Sequence, residues 1–130
     1  MAALPHLLIV AHGSRLAASN QEIRDLVERL RASNPLFAGI GCAFLEIEEP
    51  SIAQGLIQLI DRGAQAIVVM PYFLAAGRHV VSDIPRQVDR LQCEHPDIDI
   101  RIAPYLGQAD GLPELLMKQA ILAIGIPQSL

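Results

Sequence analysis

The sequence is poor in the groups that bind nucleic acids and has no long apolar runs. Lys118 is the only lysine, the net charge is −4, and the arginines form no basic run. Phosphate binding draws on clustered Lys and Arg, so nucleic acid is not an expected partner. Runs such as 7–11 and 66–71 fall far short of the ~20 apolar residues that a membrane helix needs. With no signal-peptide pattern at the N-terminus, we expect a cytoplasmic protein without membrane contact.

Several catalytic and cofactor motifs are also missing. There are two cysteines, Cys42 and Cys93, and no CxxC, which argues against a zinc knuckle or a thioredoxin-like site. We interpret them as reduced, mostly buried thiols. The GxxxxGK[ST], GxGxxG and GxSxG patterns are absent, so neither a P-loop, a dinucleotide fold nor a hydrolase nucleophile at Ser14 is indicated. No organic cofactor is expected.

Alternating strand and helix patterns run through the whole chain. Apolar residues make up 52% and charged residues 18%, as in a well-packed domain. The predicted strands are 7–11, 40–45, 66–70 and 98–103. The predicted helices run from a Ser19 or Asn20 cap to 33, from Pro50 to Gly63, from Ser82 or Asp83 to before Pro96, and from an Asp110 cap through 112–124. Residues 71–81 are predicted as a loop.

This order predicts the fold class. Short apolar strands joined by helical crossovers indicate an α/β domain whose open parallel sheet of four strands has helices on both faces. The general plan is flavodoxin-like, and residues 1–130 form one domain. The alternating strand 98–103 is expected at the edge of the sheet, because one of its faces is wetter.

Three side chains that can bind metal follow three predicted strands. Ligands of open α/β sheets sit outside the carboxyl ends of the strands, where His12, Glu46 and His79 would meet. Two imidazoles and one carboxylate suit Fe, Co, Ni or Zn and leave coordination positions open for a substrate. The spacing therefore predicts a metal site at this edge.

Structural roles for the same residues remain open. A single histidine at a strand end is often only a hydrogen-bonded structural residue. Glu46 competes with Glu48 and Glu49, and acidic residues before a helix can merely complement its dipole. His6 and His95 are expected to be structural, because one precedes the first strand and the other lies at a helix exit.

Three segments carry a resemblance to a known family: "IVAHGSR" at 9–15, "AFLEIEEPSI" at 43–52 and "VVMPYFLAAGRHVVSDIP" at 68–85. They resemble the short single-domain form of the CbiX family of class II chelatases. The resemblance implies a lyase that inserts cobalt, or alternatively iron or nickel, into sirohydrochlorin during cobalamin or sirohaem synthesis. It implies that His12 and His79 bind the metal and accept a proton, and it matches Glu46 to an assisting carboxylate. It also implies a homodimer with two sites across one cleft.

An acidic tetrapyrrole needs local positive groups and a flat apolar surface. Candidate donors to its carboxylates are Arg15, Arg78, Arg86, Ser14, Ser51 and Ser82. Candidates for its flat face are Tyr72, Phe73 and Leu74, whereas Phe44 is expected in the core. The arginines could equally be solvated surface charges, and the aromatic residues could belong to the core.

Metal insertion needs a group that releases the ion and a group that accepts pyrrole protons. A neutral histidine can do both near pH 7, because its reference pKa is about 6.5. Two other functions remain open. The domain could bind metal or tetrapyrrole as a carrier without turnover. Alternatively, the carboxyl edge of its sheet, its rim, could bind another anionic metabolite and no metal.

Overall fold

The computed structural model describes residues 3–33 and 36–125, in which strands and helices alternate as predicted. The strands are β1 (His6–Ala11), β2 (Gly39–Phe44), β3 (Ala66–Pro71) and β4 (Asp99–Ile102). The helices are α1 (Ala17–Ser33), α2 (Ile52–Asp61), α3 (Ile84–Glu94) and α4 (Leu112–Leu122). A π-helical turn (His79–Asp83) precedes α3, and a 3-10 turn (Leu106–Gln108) precedes α4.

The four strands form one parallel sheet in the order β2-β1-β3-β4. The α/β prediction is therefore confirmed, and so is the place of β4 at the edge. The chain moves to one side of β1 for β2 and to the other side for β3. The strand order thus reverses between β1 and β3, which is the point where open α/β sheets bind ligands.

The two faces of the sheet bury different amounts of apolar surface. Alternate side chains of β1 point to opposite faces. Leu8 and Val10 join a large core with α2 and α3, whereas Ile9 joins a small cluster with Val27 of α1 and Ile40 of β2. The face under α2 and α3 therefore holds most of the hydrophobic core.

Helix α4 lies apart from both faces and packs mainly on the 3-10 turn before it. Four of its apolar side chains are more than half exposed, Leu115, Leu116, Met117 and Leu122, whereas Leu112 and Ile121 are partly buried. Helices cover both faces as predicted, through α2 and α3 on one side and α1 on the other. Across the described residues, no helix combines the length and the apolar character needed to span a membrane.

Two predicted helix starts are wrong by a few residues. Helix α1 begins at Ala17, so Ser19 and Asn20 lie inside it, and Asn20 is buried. Helix α2 has Ser51 as its N-cap, so Pro50 precedes the helix instead of lying in its first turn. Asn20 is used by the main chain of Ser14 instead of capping the helix, and Ser51 forms a capping box with Gln54, a local S-x-x-Q signal that the prediction missed.

The predicted cap of α4 is also wrong. Gly111 is the N-cap of α4 and no side-chain cap is formed, so the predicted Asp110 cap is wrong. The predicted end of α1 at 34–35 falls outside the described residues.

Both cysteines are free thiols, but they differ in exposure. Cys42 in β2 is half-buried, and burial raises the pKa of its thiol. Cys93 in α3 is exposed, so the expectation that it is mostly buried is wrong.

Candidate metal centre

A glycine lets the segments that follow β1 and β2 approach each other. Gly13 has φ +96°, and a Cβ at this position would lie 1.9 Å from the Glu46 carbonyl oxygen. The Glu46 N–H donates to the His12 carbonyl at 3.1 Å. A side chain at Gly13 would push these segments apart, so the glycine keeps Glu46 beside His12.

The residue after Glu46 has an unusual backbone conformation. Ile47 has φ +73°, a region that β-branched residues rarely occupy. The Glu48 N–H donates back to the Glu46 carbonyl at 2.8 Å, which closes a tight γ-turn around Ile47. The turn leaves the Ile47 side chain 58% exposed next to the candidate site. Neither this turn nor the position of Ile47 was predicted.

A buried asparagine braces the loop after β1. Asn20 is 4% exposed. Its Oδ1 accepts from the Ser14 N–H at 2.9 Å, and its Nδ2 donates to the Ser14 carbonyl at 2.7 Å. Both main-chain groups of Ser14 are thereby satisfied, which holds the loop that carries His12.

The partners of Glu46 and Glu48 distinguish these two candidate carboxylates. Glu48 accepts from the Glu49 N–H at 2.9 Å and pairs with Arg24 at 3.1 Å. These contacts, the Glu49 N–H first and then Arg24, hold the pKa of the Glu48 carboxyl below its ordinary value. Glu48 therefore serves the loop, and Glu46 is the carboxylate that faces His12.

The π-helical turn places the second histidine. The Ile84 N–H bonds to the His79 carbonyl, five residues back. Such turns are frequent at functional sites. This turn brings His79 Nδ1 within 2.8 Å of Asp83 Oδ2. Residues 79–81 were predicted as loop, so this pairing was missed; the four-residue spacing of His79 and Asp83 was the available signal.

The three predicted metal-binding side chains come together outside β1 and β3. His12 Nε2 lies 3.2 Å from His79 Nε2 and 3.2 Å from Glu46 Oε1. The imidazole rings meet edge to face, with centroids 4.7 Å apart. All three side chains are open to solvent, at 43% for His12, 54% for Glu46 and 40% for His79.

In each imidazole ring, the hydrogen-bond partner of Nδ1 influences whether Nε2 is free to bind a metal ion. His12 Nδ1 lies 2.9 Å from the Gly13 carbonyl oxygen. The Asp83 carboxylate only accepts hydrogen bonds, so Nδ1 carries the hydrogen in neutral His79. His12 faces an acceptor at each ring nitrogen, the Gly13 carbonyl at Nδ1 and the Glu46 carboxylate at Nε2. When His12 carries its hydrogen on Nδ1 as His79 does, both Nε2 atoms present lone pairs to each other, and Glu46 adds a third acceptor.

Converging lone pairs favour a cation between them. Two ligands held about 2.1 Å from one tetrahedral or octahedral ion are about 3.0 to 3.4 Å apart. The two 3.2 Å separations at His12 fall within that range. Across residues 3–33 and 36–125, however, no group of three or more His, Cys, Asp or Glu side chains is arranged to hold a metal ion. The site is therefore open, with His12 shared between two pairs.

The predicted anion-binding arginines differ in their availability. Arg15 and Arg78 are exposed, and neither has a hydrogen-bond or ion-pair partner among the described residues. Arg86 donates to Asp83 Oδ1 at 2.7 Å, so its guanidinium is already engaged.

The predicted serines have separate local roles. Ser14 Oγ accepts from the Leu16 N–H at 3.0 Å, and Ser51 Oγ accepts from the Gln54 N–H at 3.2 Å as the cap of α2. Ser82 is exposed within the π-helical turn. These contacts leave the serine hydroxyl hydrogens able to donate to an anion.

Apolar side chains near the site divide into core and surface. Phe44 is 1% exposed, which confirms its predicted place in the core, and Phe73 packs on the main core cluster. Tyr72 is 41% and Leu74 is 68% exposed. Further exposed apolar residues that were not predicted follow β1, β2 and the loop after β3: Leu16, Ile47 and Val81.

A sequence model described as CbiX matches residues 6–122. The chain belongs to the CbiX family. One relative is the sirohydrochlorin cobaltochelatase of Sulfolobus acidocaldarius, 32% identical over 92% of this chain and 93% of its own length. The sirohydrochlorin cobaltochelatase of Methanocaldococcus jannaschii is 38% identical over 68% of this chain, but the match spans 62% of that protein.

A solved structure extends this comparison. SirB from Bacillus subtilis with Fe³⁺ has a TM-score of 0.84 and 27% identity, covering 96% of this chain and 49% of SirB. The chain thus spans about half the length of SirB. Its family and fold agree with the expectation from the three sequence segments.

Proposed function

We propose that this CbiX-family chain inserts a divalent metal ion, cobalt first and iron or nickel as alternatives, into sirohydrochlorin. The observation that carries the proposal is the 3.2 Å approach of two imidazole Nε2 atoms whose Nδ1 atoms are both engaged. The names of the relatives support it, because they are sirohydrochlorin cobaltochelatases. Depending on the metal, the product would serve cobalamin or sirohaem synthesis.

In the proposed mechanism, His12 and His79 each bind the incoming ion through Nε2, and Glu46 offsets its charge. Few protein ligands and an open coordination sphere allow the ring nitrogens of the substrate to replace them. As the ion moves into the macrocycle, a vacated Nε2 accepts a proton from a pyrrole nitrogen. A second pyrrole proton leaves to solvent or to the other imidazole.

The substrate carries carboxylates, whereas the chain has a net charge of −4. Arg15 and Arg78 are the candidate partners of those carboxylates, because they are exposed and otherwise unpaired among the described residues. Tyr72 and Leu74 offer apolar surface to the flat face of the ring. Phe73 is less available, since it packs on the core.

We further propose that the working unit is a homodimer. SirB is about twice as long as this chain, so one copy accounts for only about half of it. The exposed apolar side chains of α4 provide a surface for a second copy. Light scattering coupled to gel filtration should give twice the 14.1 kDa chain mass, and a monomer with full activity would reject the dimer.

The test of the function is an insertion assay run in parallel with Co²⁺, Ni²⁺ and Fe²⁺. The protein should change the visible spectrum of sirohydrochlorin faster than the metal alone does. His79→Ala should lose about 100-fold or more of that acceleration, since a positioned proton acceptor contributes about 10²–10⁴-fold. His95→Ala is the matched control, because His95 caps the far end of α3.

The alternatives predict other results in the same assay. A carrier would bind Co²⁺ or sirohydrochlorin stoichiometrically without accelerating insertion. A domain for another anionic metabolite would give no heat on Co²⁺ titration, and His12→Ala would change nothing. Unchanged insertion by His79→Ala would reject the role proposed for His79.

A further inference from the structure

We infer that Asp83 is a positioning residue that fixes the ring orientation and the tautomer of His79, and that Arg86 holds Asp83 in place. The inference rests on the proposed metal-handling role of His79. None of the family segments assigns a role to Asp83, which the sequence suggested only as a helix start.

The contacts form a directional chain. Arg86 Nη2 donates to Asp83 Oδ1 at 2.7 Å, and His79 Nδ1 donates to Asp83 Oδ2 at 2.8 Å. The two carboxylate oxygens are therefore used by different partners. Asp83 is 19% exposed, against 40% for His79 and 67% for Arg86, so the carboxylate is the most protected member of the three.

The backbone explains why these residues meet. His79 and Asp83 are the first and last residues of the π-helical turn, and Pro85 lies just inside α3. The turn leads directly into the buried Ile84, which anchors it to the main core. Asp83 is therefore held next to the buried Ile84, while His79, at the other end of the turn, faces the solvent-exposed candidate site.

The chemical consequence concerns the free nitrogen of His79. Since Nδ1 donates to a carboxylate, Nε2 is left unprotonated in the neutral ring and points toward His12. A carboxylate behind an imidazole also makes the opposite nitrogen a better metal ligand, and losing such a partner costs about 10–100-fold in metal affinity or activity. His12 has only the neutral Gly13 carbonyl in this position, so the two histidines are not equivalent.

Asp83→Asn tests the inference, because it keeps the shape and removes the charge. An asparagine amide can also donate to Nδ1, which would permit the opposite tautomer of His79. Nitrogen-detected NMR of the metal-free protein should show the Nδ1–H tautomer of His79 in the wild type and a mixture or the Nε2–H tautomer in the variant. Titration with Co²⁺ alone should show affinity reduced by about 10–100-fold.

Three further variants make the result specific. Asp83→Glu should restore part of the affinity if the longer side chain reaches Nδ1. Arg86→Leu should have a smaller effect than Asp83→Asn, because its ion pair is exposed and such pairs are weak. Asp89→Asn, an exposed carboxylate on α3, is the matched control and should leave Co²⁺ binding and tautomer unchanged.

The outcomes separate this inference from the proposed function. If the wild type binds Co²⁺ and Asp83→Asn weakens binding while neither inserts metal, the positioning role stands and the chelatase proposal fails. If the wild type inserts metal and Asp83→Asn matches it in tautomer, Co²⁺ affinity and rate, the positioning role is overturned. No Co²⁺ binding by the wild type would also overturn it.

Discussion

The two ends of β1 each carry a histidine, and the two rings have opposite surroundings. His6 begins the strand, is 8% exposed, and has a buried Nδ1 without a hydrogen-bond partner in the described part of the chain. His12 follows the strand, with a side chain that is 43% exposed, and each of its ring nitrogens has a partner. The same residue type thus serves packing at one end of the sheet and faces the open rim at the other.

The contrast between His6 and His12 shows which features distinguish the candidate metal site in this fold. Burial lowers the pKa of His6, with a further contribution from Arg62, so the neutral form of that ring is favoured. At the other end, Gly13 and the γ-turn at Ile47 hold the backbone in unusual conformations that keep Glu46 beside His12. The unusual backbone conformations of Gly13 and Ile47 thus lie at the same carboxyl end of the sheet as the facing nitrogens of His12 and His79.

Replacing each histidine should give the largest contrast. His12→Ala should slow metal insertion by about 100-fold or more, since it removes a donor shared by both pairs. His6→Phe should leave the insertion rate within about twofold, because the ring lies at the opposite end of the sheet. Steady-state rates with sirohydrochlorin and Co²⁺ would measure both, and similar losses in the two variants would erase the contrast between the ends.

The two ends also carry a matched pair of glycines. A Cβ at Gly13 would meet backbone at 1.9 Å, whereas a Cβ at Gly39 would meet the His6 ring at 2.8 Å. Gly13→Ala should lower the free energy of unfolding by about 3 kcal/mol, because it combines a left-handed backbone with a backbone clash. Gly39→Ala should cost about 1 kcal/mol, since a side chain can move.

Urea denaturation of the two glycine variants measures this difference. Gly13→Ala should also weaken Co²⁺ binding, because it separates Glu46 from His12. If Gly39→Ala proved the more damaging variant, the amino end of the sheet would be the more tightly constrained one.

Much of the architecture could be predicted because it depends on local pattern. Buried parallel strands read as continuous apolar runs, and parallel connectivity places every strand's carboxyl end at one edge. That reasoning alone brought His12, Glu46 and His79 to the same rim. The family segments then turned the rim into a chelatase hypothesis.

The missed features depend on specific side-chain partners or on rare backbone geometry. Asn20 looks like a helix cap in isolation, but its amide is used by Ser14 six residues before it. The π-helical turn was not predicted, because hydrogen bonding between residues five apart has no characteristic amino-acid pattern. The exposure of α4 could not be predicted, since its apolar pattern is also that of a buried helix.

Removing the brace of the rim loop should give an intermediate effect. Asn20→Ala leaves the Ser14 N–H and carbonyl without their partner, which should cost about 1–3 kcal/mol in stability. Gln21→Ala is the control on the same helix, because it loses only an exposed bond to Asp25 and should cost less than about 0.5 kcal/mol. Thermal and urea unfolding would compare them, and equal losses would mean that Asn20 does not hold the loop.

The smallest expected effect concerns acid stability at the amino end of β1. Because the pKa of His6 is lowered in the folded chain, the unfolded chain binds more protons as the pH falls below about 6.5. The free energy of unfolding should therefore decrease on acidification, and His6→Phe should remove that part of the decrease. Urea midpoints of wild type, His6→Phe and the control His95→Gln at pH 7.5 and 5.5 isolate it, since the remaining titrating groups are shared. If the free energy of unfolding of His6→Phe depended on pH as it does in the wild type, the buried ring would not oppose protonation. The two ends of β1 would then differ only in the hydrogen-bond partners of their histidines.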